Sequence, residues 1–170
     1  MPPADNLQIL YRPMAQGDLD ILRPWADEAG YFEEALQEQG EGKRLVVLAF
    51  QGTSLCGFAH YNRFPQYGPF RRLGIPEIQD LFVLPDFRRH GIGAGIVGFC
   101  EILARDDEKS DIGIGVGVSG KFGSAQRLYA RLGFLPDGAG VVFNRDGVRD
   151  GEVKPIDDRL CLMLVKYIGD

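Results

Sequence analysis

Long apolar runs are missing from this 170-residue chain. The longest, residues 45–50 and 160–165, are six residues each, against the roughly 20 that a membrane-spanning helix requires. Cysteine is scarce and odd in number: Cys56, Cys100 and Cys161 are widely spaced, and His60 and His90 complete no zinc spacing with them. That pattern excludes a disulfide framework and a metal knuckle, and reads as three small buried apolar residues with no metal site. Positive charge is not in excess, with 19 Lys+Arg against 24 Asp+Glu and a net charge of −5. This argues against a nucleic-acid binder that relies on bulk positive potential. The opening Met-Pro-Pro-Ala-Asp has no basic segment leading into an apolar run, so no secretory signal is read. The expectation is a soluble, cytoplasmic protein without membrane or nucleic-acid partners.

What is present is an ordinary globular composition, 45% hydrophobic and 25% charged. At about 150 residues per domain the length predicts one domain over residues 1–170, able to bury on the order of 70% of its unfolded surface. No repeat, low-complexity tract or linker divides it.

Residues 7–11 read as a first strand. Residues 18–29 and 31–39 read as two short helices separated by Gly30. Residues 45–50 and 55–61 form strands around the turn Gln51-Gly52-Thr53-Ser54, followed by a loop over 62–76 and a strand over 77–84. Apolar positions Ile92, Ile96, Phe99, Cys100 and Leu103 form one helical stripe, and Ala125, Leu128, Tyr129 and Leu132 a second, closed by Gly133. Between them, Ile112, Ile114, Val116 and Val118 alternate with glycines, a strand with one bulky and one bare face. Two last strands fall near 134–144 and 159–167. The order β-α-α-β-β-β-α-β-α-β-β makes an α/β domain with a mixed sheet.

Three glycine-rich stretches resemble phosphate-binding loops. Gly93-Ala94-Gly95-Ile96-Val97-Gly98 has the letters of a dinucleotide fingerprint. It lacks the tight strand-to-helix turn and the acidic residue about 20 positions on that the chemistry needs. Gly115 to Lys121 approaches a nucleotide-triphosphate loop, but Phe122 stands where a magnesium-binding hydroxyl belongs. The third, Arg88-Arg89-His90-Gly91-Ile92-Gly93-Ala94, directly follows a strand and opens a helix. Its glycines let the chain approach a ligand, and the helix start offers unpaired N–H groups and partial positive charge to an anion. Anion binding is the reading favoured for it.

Arg88-x-x-Gly91-x-Gly93, followed about 40 residues later by Ala125-x-x-x-Tyr129-x-x-x-Gly133-Phe134, resembles the GNAT superfamily of acyl-CoA-dependent N-acetyltransferases. The resemblance implies a central, mostly antiparallel sheet splayed between the fourth and fifth strands and flanked by about four helices. It implies acetyl-CoA as co-substrate, with the amides of Arg88, Arg89, His90, Gly91, Ile92, Gly93 and Ala94 around its pyrophosphate. The backbone of Leu81, Phe82 and Val83 would bind the pantetheine arm, and an N–H at that strand end would polarise the thioester carbonyl. The acceptor would be a small-molecule or peptide amine, attacking directly in a ternary complex. Many relatives pair as dimers, so a homodimer is a further expectation.

Amine attack needs a base to take a proton and an acid to protonate the departing thiolate. Glu77, eleven residues before Arg88, matches the base position of one branch of the family. Asp80, on the opposite face of the same strand, is the alternate base or an acceptor-binding anion. Tyr129 matches the family acid. Three residues before Ala125, where many members carry an asparagine, this chain has Phe122. That departure is the one feature favouring a non-catalytic acyl-CoA-binding module. The bare face of the 112–118 strand has two readings, a cleft wall or tight packing. Phe58, Tyr61, Phe64, Tyr67 and Phe70, spaced every three residues, read chiefly as core and loop anchors.

Overall fold

A computed structural model describes residues 8–170. By internal contacts they fall into two compact units, one running up to Tyr61 and including Asp80–Cys100, the other made of Asn62–Gln79 and Glu101–Asp170. The boundary falls inside one strand, β4 (Glu77–Val83).

The first unit begins with β1 (Ile9–Pro13), antiparallel to β2 (Arg44–Gln51), with Tyr11 opposite Ala49. Leu7, expected in the first strand, lies outside the described residues. The helix expected over 18–29 is shorter: α1 is one turn, Leu19–Leu22, with a 3₁₀ turn on each side. Pro24 in the second turn cannot donate into a continuing helix. Gly30 takes φ +83, and α2 (Tyr31–Gly40) starts directly after it. The anticipated hairpin forms between β2 and β3 (Ser54–Asn62), and β3 neighbours β4. The core under this sheet is Leu22, Phe32, Val46, Leu48 and Phe58. Phe32 meets Phe58 edge-on, at a centroid distance of 5.3 Å and 87°. Burying each such ring is worth about 2–3 kcal/mol. The chain then turns into α4 (Ile92–Asp106), which buries Ile92, Ile96 and Cys100 of the stripe anticipated from spacing, with Val97 beside them, while Phe99 and Leu103 of that stripe are half-buried.

In the second unit, β4 runs parallel to β5 (Asp111–Gly117) over two residue pairs, Glu77 with Gly113 and Ile78 with Ile114. Beyond β5 the order is β8 (Leu160–Tyr167), β6 (Leu135–Phe143) and the two-residue β7 (Asp146–Gly147), all antiparallel. Among the described residues eight strands thus form a mixed, mostly antiparallel sheet, splayed between β4 and β5, as expected. One element here differs from the sequence reading. The stretch 62–76 is not all loop, because Gly68–Leu73 forms α3, with Pro69 in its first turn and Gly74 at φ +67 closing it. With α5 (Gly123–Arg131) the described residues hold five helices, in keeping with the four or so expected.

The glycine face of β5 resolves to tight packing. A Cβ on Gly113 would lie 2.2 Å from the Phe70 ring, and one on Gly117 would lie 2.2 Å from the Phe122 ring. Gly115 faces Met163 and Arg145. The three glycines are notches for these side chains, and residues 115–117 are strand interior, not a phosphate-binding loop. Among the described residues no helix is long and apolar enough to cross a membrane.

Candidate active site

β4 does not run straight. Asp80, in its middle, has φ +51, a left-handed conformation that costs a non-glycine residue of order 1 kcal/mol and marks a kink in the strand. The kink directs residues 80–82 toward a cavity of about 390 Å³ in the first unit. Asp80 and Tyr31 line it together with Asp27, Trp25, Phe58 and Phe82.

At the Asp80 end of the cavity the hydrogen bonds form a directed chain. The Tyr31 hydroxyl donates to Asp80 Oδ2 and lies 3.0 Å from Nε2 of His60. The other imidazole nitrogen, Nδ1, lies 3.3 Å from Arg44 Nη1. Arginine can only donate, so Nδ1 accepts. The proton of a neutral His60 therefore sits on Nε2 and points at the Tyr31 oxygen, which has its own proton committed to Asp80. Arg44, ion-paired with Glu38, thereby fixes the polarity of the whole series. His60 is fully buried. That burial pushes its pKa down to about 4, an effect that Asp80 opposes and Arg44 reinforces. Burial, and next the Asp80 charge, raises Tyr31 well above an ordinary phenol. Neutral imidazole, neutral phenol and an oriented carboxylate follow.

After β4 the chain makes the turn expected to bind an anion. Arg89 at φ +64 and Gly91 at φ +77 are both left-handed. The amide of Gly95 donates to the Gly91 carbonyl at 3.0 Å, so Gly91 caps α4 and the N–H groups of Ile92, Gly93 and Ala94 are its unpaired first turn. Arg88, Arg89 and His90 are exposed. Arg88 donates from Nε to the Val83 carbonyl at 2.9 Å, and its guanidinium lies 5.4 Å from the Phe82 ring centroid. Leu81, Phe82 and Val83 are half-buried, and the next amide, Leu84, donates to Cys56.

Glu77 and Tyr129 lie in the second unit. Glu77 is 0% exposed and ion-paired to Arg145, while Gln79 Nε2 donates to its second oxygen at 3.1 Å. Arg145 sits at φ +68 in the turn between β6 and β7 and also contacts the Met163 sulfur. Tyr129 is 5% exposed, its ring set against Phe134 at 6.1 Å. Burial raises its pKa to about 12.

The residues that sequence reasoning missed are Tyr31, His60, Arg44 and Arg145. His60 was weighed only as a metal ligand. The available signal was a histidine inside a strand whose neighbours are all apolar or aromatic, a position that requires hydrogen-bond partners.

A family model described as "Acetyltransferase (GNAT) family" matches residues 7–134. The chain belongs to the GNAT acetyltransferase family. No curated protein matches it. Among solved structures, a GNAT-family protein from Desulfovibrio desulfuricans shares 15% identity, with 95% of this chain and 100% of that one covered and a TM-score of 0.71. A ribosomal-protein-alanine N-acetyltransferase from Brucella melitensis shares 19%, covering 93% and 99%, with a TM-score of 0.68. A GNAT family acetyltransferase from Elizabethkingia anophelis, solved with acetyl-CoA bound, shares 20%, covering 96% and 99%, with a TM-score of 0.63. At these identities the likeness shows a shared GNAT fold.

Proposed function

We propose that this GNAT chain is an N-acetyltransferase that moves an acetyl group from acetyl-CoA to a primary amine by direct attack. The observation that carries the reading is the kink at Asp80 followed within one turn of chain by the Arg88–Ala94 segment. The segment fits a diphosphate: three successive helix-start amides, two left-handed residues that bend the chain and two exposed arginines. Acetyl-CoA, when bound, supplies an acyl group on a good leaving group. Residues 88–94 hold its diphosphate, and the backbone of Leu81, Phe82 and Val83 aligns its arm.

An ammonium has no lone pair, so the acceptor must lose a proton before it attacks. Asp80 fits that role better than Glu77. It lines the cavity and is oriented by Tyr31, whereas the Glu77 carboxylate is sealed from solvent and engaged by Arg145. Glu77 then serves as a buried anchor at the start of β4. Tyr129, still protonated at neutral pH, is the acid that donates as the thiol departs.

Phe122, the feature that favoured a non-catalytic module, has a packing reason in the notch of Gly117. The test pairs acetyl-CoA binding, read as a rise in melting temperature, with CoA release across an amine panel. At about 100 times the dissociation constant a ligand adds roughly 2.7 kcal/mol. Absence of a shift at millimolar acetyl-CoA overturns the reading, and a shift without release of the CoA thiol in the presence of any amine points to the binding module.

A further inference from the structure

The cavity at Asp80 has a definite polarity. No lysine or arginine lines it among the described residues. Asp27 and Asp80 both do, and neither forms an ion pair among the described residues. Asp80 accepts a hydrogen bond from the Tyr31 hydroxyl, and Asp27 lines the same space. The remaining wall is apolar, made of the rings of Trp25, Phe58 and Phe82 with Pro24, Ala26 and Leu81. Trp25 and Phe82 stand 5.6 Å apart between ring centroids, and Phe82 and Phe58 5.7 Å. Trp25 is 37% exposed, which leaves indole surface available, while Arg88 stands over the Phe82 ring.

Such a wall rewards one kind of guest. A cationic nitrogen satisfies carboxylates that have no cation of their own and gains from nearby aromatic faces. An apolar skeleton covers the rings. A carboxylate on the guest would meet Asp27 and Asp80 with no arginine or lysine in the wall to receive it, a repulsive element that sets specificity. At about 390 Å³ the space is at the small end of ligand cavities, which span roughly 300–1,000 Å³.

We infer that the cavity selects, as acceptor, a small ammonium on an apolar or aromatic skeleton without a free carboxylate, its nitrogen held between Asp27 and Asp80 and its skeleton laid on Trp25 and Phe58. The inference rests on the amine-acetylation reading and is tested apart from it.

Titration calorimetry on the full chain, without acetyl-CoA, compares 2-phenylethylamine with 2-phenylethanol, phenylalanine and a capped lysine peptide. The amine is expected to bind at least about tenfold more tightly than each of the other three. Asp27→Asn should remove most of the preference over the alcohol, and Trp25→Ala should weaken the amine by about tenfold. Both variants should keep the wild-type acetyl-CoA thermal shift, which shows that they fold. Equal or tighter binding of phenylalanine, of the alcohol or of the peptide overturns the inference. If amine binding holds while no thiol is released with any acceptor, the acetylation reading fails and this site stands. If amines are acetylated but phenylalanine is preferred, the reverse is true.

Discussion

Glu77 and Arg145, 68 residues apart in sequence, form an ion pair in which the carboxylate is fully buried. The arginine reaches inward from a tight turn, with Asn144 at φ +50 and Arg145 at φ +68. The pair therefore ties the β6–β7 turn to the first residues of β4. Removing one member of a buried pair strands a charge away from water, so Arg145→Met should lower stability by about 3–5 kcal/mol. Glu77→Gln combined with Arg145→Met should cost less than the sum of the single changes, measured by urea unfolding. Additive costs would show that the two side chains act independently.

Gly117 is expected to tolerate no side chain while Phe122 is in place. A Cβ there would lie 2.2 Å from the ring, and forcing it in should cost about 1–3 kcal/mol. In a Phe122→Ala background the same Gly117→Ala change should cost little, because the space is then open. Thermal unfolding of the four proteins of this cycle measures the coupling.

The buried imidazole predicts an acid-side loss of stability. In the unfolded chain His60 takes up a proton near pH 6.5, whereas in the fold it resists protonation down to about pH 4. The unfolded state thus binds more protons between those values, and stability falls as pH drops through that window. The loss from pH 7 to pH 5 should be about 2 kcal/mol, and His60→Gln should remove that share of the slope. Asp80, Arg44 and Tyr31 face the ring, so the slope should also change in Tyr31→Phe.

Asp80→Asn keeps the shape of the cavity and removes the charge and the base. If Asp80 accepts the amine proton, kcat with amine acceptors should fall by about 10²-fold or more, with the acetyl-CoA thermal shift retained. Undiminished turnover would return the role to Glu77.

Tyr129→Phe should lower turnover by about 10²-fold while leaving acetyl-CoA binding close to wild type. Among the described residues the Tyr129 hydroxyl makes no hydrogen bond, so its loss should hardly alter stability. Wild-type turnover would remove the acid role.

Much of the framework was legible in the chain, because helices and strands declare themselves through local repeats. The stripes of α4 and α5, the glycine alternation of β5 and the turn at Arg88–Ala94 are each visible within about 15 residues. Helix α3 was not, since its six residues are too few for a periodic signal and are masked by proline and glycine at its ends. The candidate carboxylates Glu77 and Asp80 were both found, but their environments were not.

The amino-acid sequence by itself determined the family motifs, the order of the main elements and the amide-lined start of α4, all of which depend on contacts within a turn or two. Tertiary structure alone decided that Arg145 partners Glu77, that Phe70 and Phe122 fill the glycine notches of β5, and that Trp25, Tyr31, Phe58 and Asp80 surround one cavity. Each of these joins residues far apart along the chain. Their pairing is set by strand register and by the depth at which each side chain is buried, and no local pattern encodes either.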